Sequence, residues 1–160
     1  MFLEIRNLTS KNLVGMHLSM SLAENRTGEL WQKFMPRRKE IKNARASELL
    51  SMQVFPSDFN FSQFDFTRKF EKWAAVEVDP SASIPENMES FTLPEGSYAV
   101  FFYKGLPAAG EKIFRYIFEE WIPNSNYVID DRPHFELLGE KYKNHDPESE
   151  EEIWIPVRLK

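Results

Sequence analysis

The chain has no cysteine, which removes disulfides, thiolate metal ligands and cysteine nucleophiles at once and agrees with a reducing, cytoplasmic setting. Glycine is scarce. Six residues in 160 leave little material for a phosphate-cradling loop, and no serine-nucleophile motif occurs. Among the three histidines, His17, His134 and His145, no two have the spacing of a helical metal pair. The acidic stretch Glu148, Glu150, Glu151, Glu152 lacks a calcium-loop pattern and reads as a solvated turn, so neither a metal nor a cofactor is expected. Positive charge is in deficit, with 20 Lys and Arg against 25 Asp and Glu and a net charge of −5. The one basic run, Arg37-Arg38-Lys39 with Lys42 and Arg45 beyond it, falls at the end of a predicted helix, where cations complement the helix dipole. A nucleic-acid surface is therefore not expected. No apolar run approaches membrane-spanning length and the N-terminus has no leader pattern, so neither a membrane partner nor export is expected.

What the chain has in quantity is aromatic side chains: 14 Phe, 5 Tyr and 4 Trp, enough to build a core and still line a pocket. Residues 3–6 and 13–20 read as strands. Leu30, Trp31, Phe34, Met35 and Ile41 recur at helical spacing, with a break expected at Pro36. Residues 49–55 and 68–78 read as strands flanking a Phe- and Asp-rich loop, and 80–96, holding three prolines, as a connector. Then the order returns: a strand over 97–103, and a helix with stripe Ile113, Phe114, Ile117, Phe118, Trp121 that ends before Pro123. A strand over 134–138, a polar loop over 144–152 and a final strand over 153–159 complete it.

An offset of 83 sets Leu30 on Ile113, Trp31 on Phe114 and Phe34 on Ile117 without a gap. The same offset sets Met20 on Tyr103, Met52 on Phe135, Gln53 on Glu136 and Phe70 on Ile153. The chain is thus read as one α+β domain over 1–160, built of tandem pseudo-symmetric β-α-β-β repeats over about 1–79 and 94–160. Such units form a curved antiparallel sheet with the helices on one side and a central cleft where the halves meet.

The strands carry apolar residues on both faces, whereas a sheet with one wet face should alternate. Trp73 opposes the set Ala74, Val76, Val78, and Trp154 opposes Ile153, Ile155, Val157, which points to a binding or contact face rich in rings. Inside the apolar run Phe135-Glu136-Leu137-Leu138 stands one carboxylate. A desolvated acid among rings is a receptor for a hydrophobic cation, since the rings supply cation–π attraction and the acid supplies net charge. The same pattern also fits an edge-strand carboxylate facing water, and the residues alone leave both open.

GSYAVFFYKG (96–105), EEWIPNSNY (119–127), PHFELL (133–138) and EEIWIPVRL (151–159) follow in the order and spacing of GyrI-like domains, which the chain resembles over essentially its whole length. These effector-binding domains form the sensor part of some AraC-type and MerR-type multidrug-responsive regulators. The resemblance implies the double β-α-β-β fold and a ligand cleft, makes Glu136 its acidic group, and matches Trp121 to the family tryptophan. It is strongest in the second half, and it breaks where many members carry a tyrosine and this chain has Leu138. With no DNA-binding helices in the sequence, the chain is similar to stand-alone members, some of which are hydrolases of strained electrophilic rings while others sequester drugs or inhibit proteins. The expected ligand is a hydrophobic, preferably cationic small molecule held by Glu136, Trp121, Trp73, Tyr103, Trp154 and Met20. If the chain is a hydrolase, Glu136 is its acid or base, assisted by Tyr103 or Tyr116. The aromatic face also suits a protein partner or a second copy of the chain.

Overall fold

The computed structural model describes residues 2–106, 110–143 and 145–160. In chain order the elements are β1 (Phe2–Leu8), β2 (Lys11–Met20), α1 (Thr27–Phe34), a tight helical turn (Met35–Glu40), β3 (Leu49–Val54), β4 (Phe70–Val78) and β5 (Glu89–Leu93). They continue with β6 (Gly96–Lys104), α2 (Glu111–Arg115), a wide π turn (Tyr116–Trp121), α3 (Ile122–Asn124), β7 (Tyr127–Ile129), β8 (His134–Leu138) and β9 (Glu150–Leu159). The break expected at Pro36 is there: α1 stops at Phe34 and the tight turn carries the proline. Pro123 does not end the second helix, which runs on to Asn124. The preceding turn widens to π geometry, making room for a ring that would otherwise strike the carbonyl one turn back.

All pairings are antiparallel, in the order β1-β6-β9-β8-β3-β4-β2-β5, with β7 on β9. The halves meet at β3–β8, where Met52 faces Phe135, the residue 83 positions later. The pseudo-twofold axis therefore passes through this pair. The offset holds from β2 to β6 and from β3 to β8, but not onward. Met52 pairs Trp73 and Phe135 pairs Trp154, so the last strands correspond at 81 and the two tryptophans are each other's mates. Phe70 thus matches Glu151 rather than Ile153, because the β3–β4 loop is two residues longer than its counterpart.

The connector read between Pro80 and Gly96 contains β5, and that strand is the repeat of β1. Ile5 pairs Ala99 and Lys11 pairs Leu93, so each half lends its first strand to the edge of the other half. The second unit accordingly begins at Glu89, not Pro94. This exchange bends the sheet. Only Thr9 and Ser10 join β1 to β2, a reach of about 11 Å from Leu8 to Lys11. Six flat strand spacings would separate those strands by about 29 Å. The sheet must curl.

Inside the curl lies a single core: Leu8, Leu13, Leu50, Met52, Trp73, Ala75, Leu93, Tyr98, Val100, Phe135 and Trp154. No helical residue among those described belongs to it; side chains from opposite walls bury one another. The outer face carries two separate cores, one under α1 (Val14, Leu30, Phe34, Ala74, Val76) and one under the second helix (Ala99, Phe101, Ile117, Ile153, Ile155). Between these two cores, at the β3–β8 seam, the outer face carries the polar side chains Ser51, Gln53, His134 and Glu136.

Candidate functional site

β8 is a central strand between β9 and β3, so Glu136 is not an edge-strand carboxylate. It pairs Ser51 on one side and Ile153 on the other, which puts it on the outer face, at the seam between the two helix cores. Its carboxylate is half-buried and accepts hydrogen bonds from Gln53 Nε2 at 3.0 and 3.2 Å. Donor and acceptor are 83 positions apart, so pseudo-symmetry mates hold each other across the axis.

Around this pair the outer face gathers further polar groups. Lys72 pairs Gln53 in the ladder and shares its face. It is 6% exposed and has no hydrogen bond or ion pair among the described residues. Burial holds its ammonium below the usual lysine range, while Glu136 and Glu151 draw it back up. Glu151 pairs Tyr103 and is pushed up to about 7, first by burial and then by repulsion from Glu136, with Lys72 opposing. The Tyr142 phenol is raised by burial and by the same two carboxylates. His134, next along this face of β8, is buried and held neutral, down to about 3, by desolvation with help from Arg132.

Aromatic rings reach this face from places the periodicity does not mark. The loop between β3 and β4 folds back on this face, where Phe61 stacks on His134 (4.8 Å) and on Phe118 (5.5 Å), and Phe55 meets His134 edge-on. Met16, Leu18, Trp31 and Leu49 are half-buried beside the α1 core, as are Tyr103, Ile113 and Phe114 beside the other. These partly exposed apolar side chains stand on the same outer face as Gln53 and Glu136.

The residues singled out from sequence do not all meet there. Glu136 and Tyr103 lie on the outer face. The Tyr103 hydroxyl donates to the Leu106 carbonyl at 2.6 Å. Met20 is on the same face but 2% exposed, its sulfur accepting from the Thr27 hydroxyl at 3.5 Å under the start of α1. Trp121 is half-buried at the far flank, stacked on Phe2 at 4.8 Å and edge-on to Phe101 at 5.2 Å. Tyr116 also meets Phe101 edge-on, within that core.

Trp73 and Trp154 are on the opposite face, 6% and 4% exposed within the inner core, so they do not share a face with Glu136. Strand alternation places both rings on the helix-free face correctly; it cannot show that this face closes on itself. The acidic stretch corrects likewise. Asn144 lies outside the described residues, and Glu150, Glu151 and Glu152 belong to β9 rather than to a solvated turn. Lys72, Glu151, Gln53 and Tyr142 do not stand out in the sequence as site residues. The signal that could have found Lys72 is its position between Phe70 and Ala74 on one apolar face.

A separate cavity of about 260 Å³ opens at the mouth of the curl. Leu8, Leu50, Phe135, Leu137 and Trp154 line it together with Arg6, Lys11, Glu48 and Glu77. Glu136 is not among its lining residues. No cluster of three metal-ligating side chains occurs among the described residues, and no described helix is long and apolar enough to cross a membrane.

The family model of the GyrI-like small molecule binding domain matches residues 1–158. The chain belongs to this family. Among the relatives of this GyrI-like domain is the transcriptional regulator BrlR of Pseudomonas aeruginosa, 25% identical over 147 residues, which cover 91% of this chain and 52% of the regulator. The chain thus spans about half the length of that relative. Among solved structures, SAV2435 bound to tetraphenylphosphonium superposes with a TM-score of 0.70 at 22% identity, covering 99% of this chain and 94% of its own. The C-terminal domain of EcmrR superposes at 0.71 with 11% identity, covering 99% of both chains. At these identities the structural likeness speaks for the fold alone.

Proposed function

We propose that this GyrI-like domain binds a hydrophobic, singly cationic small molecule in the groove between its two helices, with Glu136 as the counter-charge. The observation that carries the reading is the state of Glu136. It is a half-buried carboxylate at the seam of the two halves, whose hydrogen-bond partner among the described residues is a neutral amide, with aromatic and aliphatic flanks on both sides. An acid so placed gains from a ligand that brings positive charge and apolar surface together. That SAV2435, of the same fold, was solved with tetraphenylphosphonium supports this ligand class.

Titration followed by tryptophan fluorescence tests it, using tetraphenylphosphonium and its anionic shape-mimic tetraphenylborate. The expected affinity for the cation is micromolar, about −8 kcal/mol. Glu136→Gln should weaken tetraphenylphosphonium about tenfold or more while leaving tetraphenylborate no weaker. Equal losses for both would refute the charge role.

A second reading, hydrolysis of a reactive electrophile, draws on Glu151, a carboxyl titrating at about 7 beside Tyr103 and near Tyr142. Turnover of a small aryl epoxide that is lost in Glu151→Gln would favour it, and tight binding without turnover would dismiss it.

A further inference from the structure

We propose that Lys72 is the specificity-determining residue of this groove: a built-in counter-cation that leaves the two carboxylates Glu136 and Glu151 one uncompensated negative charge and so limits the ligand to a single positive charge. The inference rests on the reading of the groove as a cation site and adds the rule for which cations enter.

Its basis is an ammonium where the fold gives no contact partner. Lys72 is the third residue of β4, flanked by Leu18 on β2 and Gln53 on β3, on the face that carries Glu136. The residue is 6% exposed, yet neither a carboxylate nor a hydrogen-bond acceptor touches it among the described residues. Among the described side chains the only fully enclosed nitrogen or oxygen without a partner is Nη1 of Arg132, so the Lys72 ammonium keeps an opening to solvent. A buried cation of this kind is costly unless opposite charge lies near. Here that charge is Glu136 and Glu151 acting across the face rather than in contact.

The arrangement is asymmetric in a way that repeat geometry alone does not require. The mate of Lys72 in the second half is Ile153, while Glu136 has the neutral mate Gln53 and Glu151 the apolar mate Phe70. The charged triad has therefore been built across the axis, one member from the first half and two from the second. With both acids and Lys72 ionised, the triad carries one net negative charge. One monocation neutralises it. A dication would bring uncompensated positive charge beside Lys72 in a poorly solvated groove, which is the repulsive element that selectivity needs.

The test uses three probes of nearly equal shape: neutral phenylpyridine, singly charged N-methylphenylpyridinium and doubly charged N,N′-dimethylbipyridinium. Titrations are run at pH 8 on the wild type, Lys72→Met, Lys72→Gln and Glu136→Gln. Removing the lysine charge should tighten the monocation about tenfold, the size of a unit-charge interaction over roughly 10 Å in a partly screened medium. The dication should gain more, and the neutral probe should not move. Met keeps the buried stem's volume and Gln keeps polarity, so agreement between the two, with thermal melts at or above wild type, separates charge from packing. Equal shifts for all three probes, or none, would overturn the role of Lys72. If Glu136→Gln discriminates by charge while both Lys72 variants do not, only this inference fails. If Glu136→Gln leaves the three probes alike, the cation reading of the groove fails and this one falls with it.

Discussion

Replacing Glu151 by glutamine should stabilise the protein at pH 8 and leave it unchanged near pH 4.5, and the size of the effect follows from where β9 puts the side chain. Burial opposite Tyr103 and repulsion from Glu136 raise the carboxyl from 4.5 to about 7, with Lys72 pulling the other way. Between these values the folded state holds a proton that the unfolded chain has released, so wild-type stability falls as pH rises through the window and is lowest above 7. About 2.5 pH units at about 1.4 kcal/mol each gives about 3 kcal/mol, an upper figure because the side chain keeps some contact with water. Glutamine mimics the protonated acid and carries no such cost. The difference between variant and wild type should therefore grow from zero at pH 4.5 to as much as about 3 kcal/mol at pH 8. For a chain of this length that is a rise of roughly 10 °C in Tm. Urea unfolding at pH 4.5, 6 and 8, followed by tryptophan fluorescence, measures it directly. Equal stability of the two proteins at pH 8, or a less stable variant, would refute the placement of Glu151 in a desolvated, acid-rich cluster.

His134 predicts the opposite slope: buried and held neutral down to about 3, it contributes stability that is present above pH 6.5 and lost as pH falls toward 3. His134→Phe should keep the ring packing with Phe55, Phe61 and Phe118 and shift the acid-unfolding midpoint downward; an unmoved midpoint would contradict the burial. Gly15→Ala should cost about 3 kcal/mol or more in chemical denaturation, because an added Cβ would lie 2.0 Å from the Ala74 carbonyl oxygen on the neighbouring strand. A loss within experimental error would mean that β2 and β4 are not so closely apposed.

Much of the architecture is legible in the apolar pattern of the chain. The Met52-to-Phe135 offset that this pattern suggests is the axis of the molecule, and the Gln53-to-Glu136 match is a hydrogen bond. Matching Phe70 to Ile153 fails because alignment by apolar character cannot see the two extra residues in the β3–β4 loop. β5 escapes because only Leu93 of its five residues is buried and prolines bracket it. β7, three half-buried residues beside β9, leaves too short a pattern to mark.

The sequence by itself determined the two-unit plan, the helix-side and helix-free faces of each strand, and the single acid in an apolar strand, because each is written in spacings of two to four residues. Only the tertiary structure decided which of those faces closes on itself as a core and which carries the helices. That choice depends on a strand exchange between halves and on a two-residue link that forces the sheet to curl, both set by partners some 80 residues away. The curl enclosed Trp73 and Trp154, and strand pairing brought Lys72 from one half within the field of Glu136 and Glu151 from the other. Local periodicity carries no information about register between distant strands, and it is register that assembles this site.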